Sequence, residues 1–298
     1  MQHAVLEHPA SLQVTTTVNR RFWLHLGRNT LFYAFMLLLA LIFVMPLIWM
    51  ISTSLKNDPQ TYHVPPIWIP WPMRPQNYPE ALSAQPFGLF FLNSFHYSLF
   101  TVIGAILSCS ISAYGFARLR WRGRDALFAI CLATMMVPFQ VRMVPLFITF
   151  KHLGWINTYN PLIVPSFFGS AYFIFLLRQF FLTIPIELSE AARIDGANEL
   201  SILLRIILPL SKPALAVVGL FQFMGAWDDY LGPLIYLNQT HLYPVALGLQ
   251  LFQSQFVQKL AWPYLMAATT VTILPIIILF YATQKSLVEG ISITGLKG

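Results

Sequence analysis

Apolar residues fall along this chain in long, nearly continuous blocks rather than at the spacing of a half-buried helix or strand. Six blocks reach or approach the roughly 20 residues a helix needs to cross a hydrocarbon core. They cover residues 32–51, 89–116, 126–149, 162–181, 214–237 and 264–283. The pattern predicts an all-α polytopic membrane protein with six transmembrane helices.

The polar intervals set the organisation. Residues 1–28 lack apolar periodicity and read as a cytoplasmic tail. The first apolar run is too long for a signal-peptide core and follows about 30 polar residues, so it is expected to remain as span one. Residues 29–88 then hold the first span and an external loop. That loop carries Pro59, Pro65, Pro66, Pro70, Pro72, Pro75 and Pro79 with Trp68 and Trp71. Proline at this density argues against a regular helix there, and the tryptophans suit headgroup depth. Residues 89–284 form the core, spans two to six, and 285–298 a cytoplasmic tail made flexible by Gly290, Gly295 and Gly298. In span two, Gly104, Ser108 and Ser112 place small residues on one face, where another helix can come close. Span three carries Pro138 and Pro145 and is expected to bend. No internal repeat is visible, which weighs against an inverted-repeat secondary transporter.

Composition agrees with a bilayer as solvent. Of 298 residues, 57% are hydrophobic and 10% charged, against about 25% charged in soluble domains. The net charge of +7 could suggest nucleic acid, but the cations are sorted by side. Arg20, Arg21, Arg28, Arg118, Arg120, Arg122, Arg124, Arg178, Arg193, Arg205, Lys212, Lys285 and Lys297 would share one face. Lys56, Arg74, Lys151 and Lys259 would share the other. Basic loops stay in the cytoplasm, so both termini are placed there and no nucleic-acid partner is expected. Cys109 and Cys131 fall inside spans and read as small apolar residues.

The interval between spans four and five, residues 182–213, is long for a connection. Pro185 suits a first helical turn, and Glu187 and Glu190 complement a helix N-terminus. Gly196 is a plausible stop, and Asn198 a cap for a second helix. In that helix Leu200, Leu203, Leu204 and Ile207 follow amphipathic spacing. An apolar stripe at a membrane face must be buried against lipid, the chain's own bundle or a soluble partner.

This interval, EAARIDGANELSILLRIILPLSKPALA, resembles the EAA loop of binding-protein-dependent ABC importer permeases. Glu190, Ala191, Ala192, Gly196, Ile206, Leu208 and Pro209 carry the match. AYGFARLRWRGR, MMVPFQVRMVP, INTYNPLIVP, WDDYLGPLIYL and the tail VEGISITGLKG extend it to the sugar-importing branch, in particular its maltose-type second permease subunits. The resemblance implies the type I ABC importer transmembrane fold in a cell membrane. It implies a coupling helix docked on an ATP-hydrolysing partner, with Glu190 meeting a basic residue and Gly196 making the turn. The implied partners are a dimer of ATPase subunits, a sister permease or a second copy of this chain, an extracytoplasmic solute-binding protein, membrane lipid and a carbohydrate. Polyol, glycerol phosphate, polyamine and peptide cargoes are the alternatives. Two positions depart from the family's habit: Arg142 stands where a small or polar uncharged residue is usual, and Asp228-Asp229 where an amide–acid or amide–amide pair is expected.

No GxxxxGK[ST] phosphate loop occurs, so ATP is expected on the partner and no cofactor on this chain. No HExxH, Cys/His cluster or GxSxG elbow points to metal or hydrolase chemistry. A membrane enzyme or an ion-coupled carrier acting alone is therefore the weaker reading. The charges within the spans suggest a substrate path. Counted along straight helices, Arg142, Asp228 and Asp229 lie at similar depth, so either Arg142 pairs with one of the acids or it snorkels to the outer headgroups while the acids sit in a wet external vestibule. Trp227 beside them could stack on a sugar face.

Overall fold

The computed structural model describes residues 15–256 and 262–295, with the side chains of 29–254 and 262–285. All regular structure among these residues is helical: α1 (Thr15–Ser54), α2 (Asp58–Thr61), α3 (Asn77–Ser83), α4 (Phe87–Ala117), α5 (Arg124–Ala133), α6 (Phe139–His152), α7 (Asn160–Ile163), α8 (Ala171–Thr183), α9 (Ile186–Ile194), α10 (Glu199–Ile202), α11 (Leu208–Leu210), α12 (Lys212–Trp227), α13 (Leu231–Tyr236), α14 (Val245–Phe256) and α15 (Trp262–Gly295). Four described stretches are long and apolar enough to cross a membrane, and up to six if two bent pairs each count as one span. Five of the six expected spans match these to within a few residues; the remaining one, 214–237, overlaps only the second arm, Lys212–Trp227, of a bent pair that begins at Glu199.

The chain divides into two units, residues 1–52 and 53–298. The first is most of α1. Its stretch Asn29–Ser54 has a mean hydropathy of 2.7 and shows apolar side chains on all sides, as a helix solvated by lipid does. Residues 15–28 are helical and run on into the candidate span, which begins at Asn29; 1–14 lie outside the described residues.

In the second unit α4 is the axis, packed by α8, α12, α14 and the segment Val164–Phe168. Close approach is built into its sequence. A Cβ on Gly104 would lie 2.3 Å from Ser166 Oγ, and Ser108 Oγ donates to Ser166 O at 2.9 Å. The expected small-residue face of span two is thus where Val164–Phe168, a 3₁₀ segment, sits down. A core of Ala105, Cys109, Phe173, Leu177, Phe181, Ile202 and Ile207 runs from α4 and α8 into the 182–213 interval.

Several expectations are corrected. The Pro-rich segment holds two short helices, α2 and α3. Pro59 sits at the start of α2, where a missing N–H breaks no helical bond. Asn77 then ties the segment down, donating from Nδ2 to Ser54 O and Lys56 O, each at 2.8 Å. The bend expected of span three, by contrast, is present: it falls at Val137–Pro138, between α5 and α6, which differ in direction by 97°. Span five ends as a helix at Trp227 and resumes as α13. The interval 238–263 contains α14, whose Val245 and Phe252 are fully buried; Gly248 lets Phe90 lie against its backbone. The 285–298 interval is helical through Gly295, so its glycines do not loosen it up to that point. Lys259, Lys297 and Gly298 lie outside the described residues.

Candidate functional site

The 182–213 interval folds as a helix, a turn and a second helix. After α9 the chain closes with a Schellman cap: Ala197 N–H donates to Ala192 O at 2.9 Å and Gly196 N–H to Arg193 O at 3.0 Å. Gly196 has φ +82°, a backbone state in which a Cβ is strained. Asn198 caps the next helix, its Oδ1 accepting from Ser201 N–H at 2.8 Å. From Leu203 to Ile207 the helix widens into a π turn, with Leu208 N–H bonded to Leu203 O. Pro209 has no N–H and its ring would press on the Arg205 carbonyl in a regular helix, and the wider turn relieves this. The buried stripe differs from the expected one. Ile202, Leu203 and Ile207 are buried, with Ile206 and Leu208 packed beside them, whereas Leu200 and Leu204 are exposed.

Glu190, Ala191 and Gly196 lie on the open side of α9, with Ile194 next to them at 86% exposure. Ala192 packs inward on the core, and Ser189 is buried. The interval is also tied to the end of α4. Arg118, itself buried, donates from Nη2 to Ile184 O at 2.6 Å. Tyr114 OH donates to Glu199 Oε2, which Arg193 also reaches, and Arg193 Nε donates to Glu199 Oε1 at 2.7 Å. No short-range sequence pattern announces Tyr114 or Arg118, because their partners lie 85 and 66 residues away.

The second locus is a cavity of about 460 Å³. Its wall comes from α4 at Tyr97, from α6 at Phe139 and Arg142, from Pro161–Pro165, and from the break after α12 at Asp229 and Gly232. Two interrupted spans therefore meet here, the arrangement by which membrane transporters expose polar groups inside a bundle. The Asp229 carboxylate is held by Tyr97 OH at Oδ2, 2.8 Å, and by Gly232 N–H at Oδ1, 3.0 Å.

The pairing of Arg142 with an acid is not formed: none of the described ion pairs includes it. The depth estimate assumed straight helices, whereas the bend at Pro138 redirects α6, and Asp229 already has two donors. Asp228 is exposed and off the cavity wall. Trp227 is 2% exposed. It stacks on Phe223 and donates from its indole to Thr272 O at 3.1 Å, so it is a core residue and not a sugar platform. Of the four residues expected on a path, the cavity unites Arg142 and Asp229; Tyr97 is the partner that the sequence did not reveal.

Residues 106–293 match the family described as binding-protein-dependent transport system inner membrane component. The chain belongs to that family. The matched region takes in the 182–213 interval and the cavity lining from Phe139 to Tyr236; Tyr97 lies before it. The permease is 34% identical to the sulfoquinovosyl glycerol transport system permease protein SmoH of Agrobacterium fabrum, over 85% of this chain and 88% of that one. It is 35% identical to the arabinooligosaccharides transport system permease protein AraQ of Bacillus subtilis, over 70% of this chain and 73% of that one. Among solved structures it is similar to a bacterial ABC transporter involved in the import of the acidic polysaccharide alginate. That match has a TM-score of 0.75 at 25% identity and covers 92% of this chain and 99% of that one. The fold is the ABC importer transmembrane fold, and the permease is a multi-pass membrane protein and a transport component.

Proposed function

We propose that this permease forms part of the path by which an ATP-driven importer moves a carbohydrate into the cytoplasm. The exposed side of α9 is its contact with the ATPase. One observation carries the coupling role: α9 presents Glu190, Ala191, Ile194 and Gly196 outward while its other side and the chain after it are anchored to the helical core. An acidic residue beside an open apolar patch suits a partner cleft that buries the patch and offers a cation. Ala191 leaves room for close approach. ATP binds and is hydrolysed on that partner, and this chain has no ATPase site of its own. The remaining partners are a sister permease, a second copy of this chain being the alternative, and an extracytoplasmic solute-binding protein. Both termini face the cytoplasm.

The carbohydrate reading is supported by the relatives, whose cargoes are a sugar glycoside, an oligosaccharide and a polysaccharide. Mechanistically, closure of the ATPase dimer pushes on α9. The push passes through Arg118 and the Tyr114–Glu199 contact into α4, around which the other helices of the second unit pack, and the bundle opens to one side or the other. No bond of the cargo is broken.

The test uses the assembled importer in proteoliposomes. Glu190→Ala and Gly196→Asp should insert at normal levels, lose cargo uptake, and release or uncouple the ATPase. Wild-type uptake by both variants would remove the coupling role. A purified permease that carries solute unaided would favour a secondary carrier.

A further inference from the structure

Arg142 opens onto the cavity with no carboxylate beside it. It is exposed, makes none of the described ion pairs or side-chain hydrogen bonds, and belongs to α6, one arm of a bent candidate span. A guanidinium within a span ordinarily finds a counter-charge or a wet cavity. The acid on the same cavity wall is committed: Asp229 receives donors from Tyr97 and Gly232. A carboxylate has about four acceptor positions, so Asp229 can still accept from a further hydroxyl. Phe139 stands three residues before Arg142 on the same wall of the cavity, one helical turn away. The cavity therefore offers a cation with its donors unspent, an acceptor for hydroxyls and an aromatic ring. Its volume, about 460 Å³, falls in the usual range for small-molecule sites.

We propose that the cavity takes a carbohydrate bearing an anionic substituent, a carboxylate, sulfonate or phosphate, with Arg142 as the charge contact and Asp229 as acceptor for sugar hydroxyls. Guanidinium is suited to this, since its planar fork binds such groups through two parallel hydrogen bonds. A neutral sugar would leave that fork unpaired on every transport cycle. The proposal rests on the carbohydrate reading above and narrows it.

The experiment has two parts. The solute-binding protein of the same system is titrated by calorimetry with three matched pairs: galactobiose and digalacturonate, methyl glucoside and its 6-sulfonate, glucose and glucose 6-phosphate. Uptake of the bound member is then measured with wild type, Arg142→Gln and Arg142→Lys in the whole importer. Binding is expected for an anionic member of a pair. Arg142→Gln should lower its uptake about tenfold or more, the usual loss for a charge-assisted contact, with Arg142→Lys recovering part. Membrane level should not change. Preference for a neutral member, or unchanged uptake of an anionic one by Arg142→Gln, overturns this inference and leaves the carbohydrate reading standing. A binding protein that takes only peptides or polyamines instead defeats the carbohydrate reading itself.

Discussion

Tyr114 OH donates to Glu199 Oε2 at 2.5 Å, joining residues 85 apart in sequence. Tyr114 is in the last turn of α4, and Glu199 opens the helix after the Gly196 turn, so the contact binds the axial helix to the coupling interval. Tyr114→Phe keeps the ring in the core and removes the donor. The expected result is normal membrane level and unchanged cargo preference, with ATP hydrolysis stimulated by loaded binding protein reduced severalfold. Stimulation equal to wild type would show that movement reaches α4 by another route.

The same acid predicts a pH dependence. Hydrogen bonds from Arg193 above all, and then from Tyr114, hold the Glu199 carboxyl below its ordinary value of 4.5. An acid whose pKa is depressed by folding adds stability above its unfolded-state pKa and loses it as pH falls through the folded value. The melting temperature of Glu199→Gln should therefore lie below wild type at pH 7, and the gap should narrow as pH drops below about 4.5. The gap should be small throughout, because the pair is partly exposed. A gap that stays constant down to pH 3 would exclude ionisation as its cause.

Gly196 is a backbone requirement rather than a packing one. A Cβ there would meet nothing within 4 Å, but φ is +82°. Gly196→Ala should cost about 1–2 kcal/mol of local stability, and Gly196→Asn less, since Asn tolerates this region. Hydrogen exchange of the Ala197 amide, which closes the cap, reads the effect directly.

Gly104 is the opposite case. A Cβ there would lie 2.3 Å from Ser166 Oγ and 2.7 Å from the Phe167 ring. Gly104→Leu should push Val164–Phe168 away from α4 at a cost of about 1–3 kcal/mol, whereas Gly88→Leu, which meets nothing within 4 Å, should be neutral. Thermal melts of the purified complex in detergent distinguish the two.

Topology is tested by single cysteines. A membrane-impermeant thiol reagent added outside intact cells should label Gln76→Cys and miss Arg122→Cys. The reverse pattern would invert the proposed orientation.

Much of this protein was readable from residue order, because a bilayer imposes its demand locally. Each span needs its own run of apolar residues, whichever helices it later meets, so six blocks of hydrophobicity mark the bundle. Local backbone chemistry was legible for the same reason: Gly196 and Asn198 act within four residues of themselves, and Pro138 announces a bend. What depends on meetings between distant segments was not legible. The 97° break of span three and the end of span five at Trp227 decide which side chains share a cavity. A depth count along straight helices therefore offered Arg142 an acid that Tyr97 and Gly232 already hold. The apolar stripe of the second helix runs through Ile202, Leu203, Ile206 and Ile207, because those side chains are the ones that meet the core of α4 and α8. Trp227, read as a ligand platform from its neighbours in sequence, lies in the core because Phe223 and α15 are there to cover it. Sequence determined that the chain crosses a membrane and carries the helix–turn–helix interval proposed to meet the ATPase. Tertiary packing alone decided which charges were satisfied and which, Arg142 foremost, were left facing the cavity.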